Sequence, residues 1–163
     1  MKLEPSIQII APKKLIGMSK EMSLSNDQTG QLFRQFMPRR KEVQNIVNLN
    51  YTYDLRVYDP NYFQQFDPSR TFTKWSLVEV SSTQQIPEEM EVFKLESGQY
   101  AVFFYKGLSS DRSFFQYIFL EWLPRSAYVL DNRPHFEILS ERTKLNDPNS
   151  EEEVWIPVKL KNR

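Results

Sequence analysis

The sequence contains no cysteine, one histidine and only four glycines among its 163 residues. Without cysteine there is no disulfide, no thiolate nucleophile and no cysteine-ligated zinc or iron–sulfur site. A single histidine, His135, excludes a histidine-rich metal site, and we expect neither a metal nor a cofactor. Four glycines are also too few to hide a glycine-rich phosphate-binding loop.

The sequence also lacks an excess of charge, because 21 Lys and Arg residues balance 21 Asp and Glu residues. Binding to nucleic acid or to anionic lipid depends on clustered excess cations, so we expect no direct nucleic-acid partner and no membrane association. The basic residues at 39–41 follow a predicted helix, whose C-terminus they stabilise. Segment 1–22 carries lysines within its apolar stretches, unlike a signal peptide or a membrane span. We therefore expect a cytoplasmic protein.

Apolar and aromatic residues, by contrast, are abundant. Hydrophobic residues make up 40% of the chain and aromatic residues 14%, which predicts a folded protein with a sizeable core. A chain of 163 residues is typical of one domain or of a tightly fused duplicate.

The hydrophobic patterns indicate the same order of elements in both halves of the chain. In the first half, strands are predicted at 6–10, 15–18, 51–58 and 72–81, with a helix that ends before Pro38. In the second half, strands are predicted at 92–93, 100–105, 128–130, 136–139 and 154–160, with a helix at 114–123. Residues 146–153 are predicted to be a solvated loop.

Residues 32–39 align with residues 118–125, matching their apolar, aromatic, proline and arginine positions. We therefore predict an α+β fold in which a duplicated strand-helix-strand-strand unit forms an antiparallel sheet with two helices. The predicted organisation is a single domain, 1–163, with pseudo-repeats at roughly 1–83 and 88–163. Side chains from both units converge at the seam between them, which is the predicted position of a central ligand cleft.

Aromatic residues are the strongest functional signal in the composition. Eight of them are spread over predicted strands and a helix end: Tyr51, Tyr53, Tyr58, Trp75, Tyr105, Trp122, Tyr128 and Trp155. Aromatic walls bind flat or cationic organic molecules, with about 0.5 to 2 kcal/mol per cation contact. The alternative interpretation is a large aromatic core.

Glu137 is the candidate acid of such a pocket. It lies in a short predicted strand, where alternation places it on the face opposite Phe136. A carboxylate among aromatic rings would select a cationic or hydrogen-bond-donating ligand, and desolvation would raise its pKa. A Glu137 that faced solvent would have no such role. The spacing of His135 pairs it with no serine nucleophile, so no catalytic residue is assigned.

Three runs in the C-terminal third resemble the GyrI-like family of small-molecule-binding domains, which has the fold of the effector-binding domains of AraC-type and MerR-type regulators. These runs are Glu-Trp-Leu-Pro-Arg-Ser-Ala-Tyr at 121–128, Arg-Pro-His-Phe-Glu at 133–137 and Ser-Glu-Glu-Glu-Val-Trp-Ile-Pro-Val at 150–158. The resemblance extends over most of the chain, including 100–103 and the turn at 106–107.

The resemblance implies a cleft that takes up amphipathic, often cationic drugs, with the acid of a Phe-Glu motif in an aromatic cage. Glu137 is the matching acid, and Trp122 and Trp155 lie in the matching helix-end and final-strand motifs. The strand pattern adds Tyr51, Trp75 and Tyr105 as further cage candidates. Many relatives place a tyrosine shortly after the motif glutamate, whereas this chain has Leu139, so the cage is expected to be less aromatic there.

Three functions are compatible with these residues. The leading hypothesis is a stand-alone module that binds or senses a hydrophobic, cationic drug or toxin. No helix-turn-helix precedes the predicted domain, so we do not expect a complete DNA-binding regulator. The second is a hydrolase of cyclopropane-bearing toxins, with Glu137 as general acid or base. The third is a protein-binding module, with gyrase or a regulator as its partner.

Overall fold

The computed structural model describes residues 3–108 and 111–162. Nine antiparallel strands form the sheet: β1 (Ser6–Ile10), β2 (Lys13–Ser23), β3 (Thr52–Val57), β4 (Thr71–Val80), β5 (Glu91–Leu95), β6 (Gly98–Lys106), β7 (Tyr128–Leu130), β8 (His135–Leu139) and β9 (Glu151–Leu160). Their order is β1-β6-β9-β8-β3-β4-β2-β5, with β7 alongside β9. The predicted α+β class with an antiparallel sheet is confirmed.

Two helical regions complete the fold. The first is α1 (Thr29–Phe36), which a 3₁₀ turn (Met37–Glu42) continues past Pro38. The second joins α2 (Ser113–Gln116), a π-helical turn (Tyr117–Trp122) and α3 (Leu123–Arg125). The α-helix thus ends before Pro38 as predicted, but the helical path does not. Pro38 and Pro124 each lie at the second position of a segment, the 3₁₀ turn and α3, where the hydrogen-bonding pattern of the helical region changes.

The pairing pattern repeats between the two halves of the chain. In the first half β4 pairs with both β2 and β3, and in the second half β9 pairs with both β6 and β8. Strand β1 pairs with β6, and β5 pairs with β2. At the centre, β3 meets β8. This arrangement has the symmetry expected of a duplicated unit, while the repeat boundaries at 83 and 88 stay a prediction.

The two faces of the sheet carry separate cores. On one face an aromatic core surrounds Phe136, which contacts Tyr53, Tyr100 and Trp155. On the other face Leu32 and Phe36 of α1 pack on the sheet, as do Phe114, Ile118 and Trp122 of the second helical region. Burying each such side chain contributes about 1.5 to 3 kcal/mol. Among the described helices, none has the length and apolar character needed to cross a bilayer.

One predicted loop is partly strand. Residues 146–153 were expected to be solvated because of their charge, but Glu151, Glu152 and Glu153 open strand β9. They pair with Lys106, Tyr105 and Phe104 of β6. Tertiary pairing therefore overrides the local polarity of this run.

Candidate functional site

The seam between β3 and β8 carries a group of charged side chains on the helix-bearing face of the sheet. Asp54 lies opposite Glu137, and Arg56 lies opposite His135. Because side chains alternate along a strand, these four point to the same face, away from Phe136. Strand β4 adds Lys74, which lies opposite Arg56. Strand β9 adds Glu152. We call Asp54, Arg56, Lys74, Glu137 and Glu152 the seam cluster.

Ion pairs join four members of the seam cluster. Arg56 Nη1 donates to Glu137 Oε2 at 2.6 Å and lies 3.7 Å from Asp54 Oδ1. Lys74 Nζ lies 3.5 Å from Asp54 Oδ2 and donates to the Thr29 hydroxyl at 2.9 Å. The four charged side chains are at most 12% exposed. Each charge is therefore balanced by its neighbours and only weakly by solvent.

Glu152 is the carboxylate without a cation of its own. Residues 3–108 and 111–162 offer its side chain no ion pair or hydrogen bond, and its neighbours on the adjacent strands are Leu139 and Tyr105. Burial, and then the nearby carboxylates of Glu137 and Asp54, raise its pKa to about 8. The ionised form of Glu152 is therefore disfavoured where it lies.

Burial also raises the pKa of Glu137, against the opposing effect of the Arg56 guanidinium. Since the 2.6 Å contact joins Glu137 to a cation that stays charged, Glu137 is the anion of a buried pair. His135 has the opposite response. Its burial, and then the charge of Arg56, lower the pKa of the imidazole to about 3, so His135 is neutral.

Two polar atoms in the floor of the seam cluster have no hydrogen-bond partner among the described residues. They are Asp54 Oδ1 and Ser76 Oγ, which lie opposite each other on β3 and β4. Ser76 is fully buried. Buried polar groups are nearly always hydrogen-bonded, so these two atoms call for a partner from outside the chain, such as a water, an ion or a ligand.

Aromatic rings border the seam cluster on the side of the second helical region. The Phe63 ring stacks on Phe119 at 5.6 Å and on His135 at 5.2 Å, and the rings of Phe119 and His135 lie 6.3 Å from each other. Tyr58 contacts His135 edge-on at 5.0 Å. We call Tyr58, Phe63, Phe119 and His135 the aromatic wall. Burial raises the pKa of the Tyr58 phenol to about 12, so it stays a neutral donor.

The predicted binding residues do not line one cavity. Glu137 lies in the seam cluster, and Tyr105 borders it opposite Glu152. Tyr105 also stacks on Phe114 at 4.3 Å, and its hydroxyl donates to the Leu108 carbonyl at 2.6 Å. Trp122 is on the same face but packs edge-on against Phe103 beneath its own helix.

The remaining three candidates lie elsewhere. Trp155 is on the opposite face, where it stacks on Phe136 at 5.2 Å and donates from Nε1 to Glu153 at 3.0 Å. Trp75 packs there against Phe93. Tyr51 precedes β3 and is 36% exposed. The structure thus places Glu137 and Tyr105 on the same face of the sheet, with β9 between their strands, whereas Trp75 and Trp155 lie on the opposite face and Tyr51 precedes β3.

Sequence reasoning missed most of the seam cluster. Asp54 and Arg56 alternate with Tyr53 and Leu55, and this is the same signal that singled out Glu137. Phe63 lies in a polar connector and gave no signal.

Two open grooves lie away from the seam. One, of about 410 Å³, is lined by Gly17, Met18, Arg39 and Glu89 among others. The other, of about 440 Å³, is lined by polar and charged residues at 141–151. Neither has an aromatic lining residue. At the seam itself, Phe63, Phe119 and His135 pack against one another.

Residues 6–158 match the family described as Cass2, the integron-associated effector binding protein. The chain belongs to this family. It is therefore an effector-binding domain, and the GyrI-like resemblance of its sequence is confirmed.

The transcriptional regulator BrlR of Pseudomonas aeruginosa is 28% identical over 146 residues, which are 88% of this chain and 51% of BrlR. The chain thus spans about half the length of this regulator. The structure of SAV2435 bound to tetraphenylphosphonium superposes with a TM-score of 0.72 and 18% identity, over 98% of this chain and 94% of SAV2435. A hydrolase of Listeria innocua superposes with a TM-score of 0.62 and 10% identity, over 96% and 92% of the two chains. The two structures share the fold with this protein.

Proposed function

We propose that this domain binds a hydrophobic organic cation at the seam cluster, against the aromatic wall. The observation that carries the proposal is the charge balance of the buried cluster, in which three carboxylates face two cations. A positively charged ligand supplies the missing charge without help from solvent. Contact with desolvated aromatic faces adds about 2 kcal/mol per cation contact.

The comparisons support this ligand class. SAV2435, which has the same fold, was solved with tetraphenylphosphonium, a lipophilic cation. BrlR is a transcriptional regulator, so a domain of this family can act within a regulatory protein. We propose the same use here, with the bound cation as the signal. A regulator or gyrase as protein partner and a cytoplasmic location stay predictions.

The proposed binding residues revise the predicted cage. From that cage we keep Glu137 and Tyr105 and add the aromatic wall, because these side chains adjoin the seam cluster. For Trp75, Trp122 and Trp155 we propose a packing role, since each is engaged with neighbouring core rings. Tyr51 lies at the surface, where its carbonyl accepts a hydrogen bond from Arg40.

A matched pair of probes tests the proposal. Methyltriphenylphosphonium and triphenylphosphine oxide have nearly the same shape, but only the first carries a net charge. Isothermal titration at pH 8.5 should give saturable binding of the phosphonium at least about tenfold tighter than that of the oxide, a difference of about 1.4 kcal/mol. Equal affinities, or no saturable binding of the phosphonium, would contradict the proposal.

One observation favours a hydrolase as the second candidate. Burial and nearby carboxylates raise the pKa of Glu152, whereas Glu137 is paired with Arg56, so the site offers one carboxyl suited to act as an acid and one suited to act as a base. The Listeria relative is described as a hydrolase. Incubating the protein with a panel of cyclopropane-bearing electrophiles and following product by mass spectrometry tests this candidate. Turnover that Glu152→Gln abolishes would support it, and absence of turnover across the panel would reject it.

A further inference from the structure

We propose that the seam cluster exchanges a proton for its ligand, so that binding of an organic cation releases the proton of Glu152. The inference rests on the proposed function and deepens it, since it names the group that senses the ligand charge. It also makes the affinity of the site depend on pH.

The charged side chains of the seam cluster are paired with one another except for Glu152. Arg56 bridges Glu137 and Asp54, and Lys74 takes the second oxygen of Asp54. Two carboxylates are thus matched by two cations within the chain. A third ionised carboxylate in this poorly solvated place would be uncompensated, which is costly. Without ligand, the cluster is neutral when one acid keeps its proton.

The acid that keeps its proton is Glu152. Strand register places Glu152 of β9 on the same face of the sheet as Glu137 of β8, and opposite Tyr105 of β6. The charges that act on its carboxyl are those of Glu137, Asp54, Arg56 and Lys74. Both cations are already engaged by the other two carboxylates. Glu152 therefore holds the proton, in agreement with a pKa raised to about 8.

The charge of a bound ligand cation can replace the charge of the Glu152 proton. A permanent monocation near Glu152 replaces the charge of the proton and restores neutrality once the acid has ionised. Asp54 Oδ1 and Ser76 Oγ supply a second, independent sign that a ligand belongs here, because both atoms are buried and lack a hydrogen-bond partner among the described residues. The expected ligand is thus a monovalent lipophilic cation, and anions are excluded.

Titration calorimetry in two buffers tests the exchange. Tetraphenylphosphonium carries no titratable proton, so any proton exchanged comes from the protein. At pH 7, measurements in phosphate and in Tris, which differ in ionisation enthalpy, should show release of close to one proton per ligand bound. At pH 9.5 the release should vanish, because Glu152 is then ionised in the free protein. Between pH 6 and 8 the affinity should rise by up to about tenfold per pH unit.

Two variants test whether Glu152 is the group that releases the proton. Glu152→Gln is an isostere of the protonated acid and should fold, but it should release no proton and lose the pH dependence. Glu153→Gln is the matched control on the opposite face, where the side chain accepts from Trp155, and it should behave as wild type. Should Glu152→Gln fail to fold, the wild-type measurement in two buffers still decides whether a proton is exchanged.

The outcomes separate the two proposals. Binding at pH 7 with no proton released would overturn the exchange and leave the proposed function intact. Proton release that persists unchanged in Glu152→Gln would overturn the role of Glu152. No saturable binding at pH 9.5, where the site is most negative, would overturn the proposed function itself.

Discussion

Arg56 Nη1 lies 2.6 Å from Glu137 Oε2, on the two strands that meet at the centre of the sheet. The motif glutamate is therefore neutralised by the chain's own arginine. The ligand cation that we propose would therefore not meet Glu137 as a free charge but would enter a network of five charged side chains. In this proposal recognition depends on the charge balance of the seam cluster, in which Glu152 is the unmatched member.

The first prediction concerns the Arg56–Glu137 pair. Replacing Arg56 by Met leaves Glu137 buried without its cation, which should lower the free energy of unfolding by about 3 to 5 kcal/mol. The loss should shrink toward pH 5, because Glu137 can then take up a proton. Urea unfolding at pH 7 and pH 5 measures both effects.

The control for this variant is Arg142→Met. Arg142 lies 3.9 Å from Glu151, and both side chains are exposed, so the expected change is within about 1 kcal/mol. Similar losses of unfolding free energy in the two variants would show that the buried Arg56–Glu137 pair contributes no more to stability than an exposed ion pair.

The second prediction is a pH profile of stability. Glu152 has a raised pKa, so between its ordinary value of 4.5 and about 8 the folded state binds its proton and the unfolded state does not. Its contribution is therefore present at low pH and lost as the pH rises toward 8. His135 acts in the opposite sense, because its lowered pKa destabilises the folded state as the pH falls from 6.5 toward 3.

The contributions of Glu152 and His135 to the pH dependence of stability oppose each other between pH 4.5 and 6.5. From pH 6.5 to 8 the contribution of Glu152 dominates. Wild-type stability should fall over that upper window, by at most about 1.4 kcal/mol per pH unit. Urea midpoints at half-unit steps measure the slope. Glu152→Gln should flatten the slope, and a variant that keeps the wild-type slope would assign it to another group.

The third prediction concerns the aromatic wall. Phe63→Ala removes the ring that stacks on both Phe119 and His135, so the affinity for tetraphenylphosphonium should fall about tenfold. Phe66→Ala is the matched control in the same connector, where Phe66 is 78% exposed, and it should leave the affinity unchanged. Fluorescence or calorimetric titration compares the two. Equal effects would place the ligand away from Phe63.

Alternation of apolar and polar residues predicts most of the strands of this fold, but it does not predict the composition of the candidate site. Alternation shows that Glu137 and Phe136 lie on opposite faces of one strand. It does not show which residues of other strands share the face of Glu137, because that depends on register. Trp155 illustrates the point, since β9 pairs so that its indole joins Phe136 on the other face.

Glu152 shows that local composition can also mispredict the position of a residue. In an acidic run after Asp147, Pro148 and Asn149, local composition favours a solvated loop. Pairing with β6 and β8 brings Glu152 into the sheet and toward the seam. This long-range pairing has no local signal in the sequence, so the sequence alone predicts that Glu152 lies in a solvated loop.

The fourth prediction compares two glycines under one substitution. A Cβ at Gly17 of β2 would overlap the Ser76 carbonyl oxygen of the paired strand β4. Neither backbone can retreat without disturbing the sheet, so Gly17→Ala should lower the free energy of unfolding by about 3 kcal/mol or more. At Gly30 of α1 the nearest atom is Nη1 of Arg34, 3.1 Å away at the end of a flexible side chain. Gly30→Ala should therefore raise stability, by up to about 1 kcal/mol, through its helix propensity.

Urea unfolding of both variants, followed by circular dichroism, measures the two changes. The effects should have opposite signs because the added methyl group meets rigid backbone in one case and a mobile side chain in the other. Ser76 lies opposite Asp54 in the floor of the seam cluster, so a folded Gly17→Ala protein should also bind tetraphenylphosphonium more weakly than wild type. A Gly17→Ala protein of wild-type stability would show that β2 and β4 do not approach each other as closely as the structure has them.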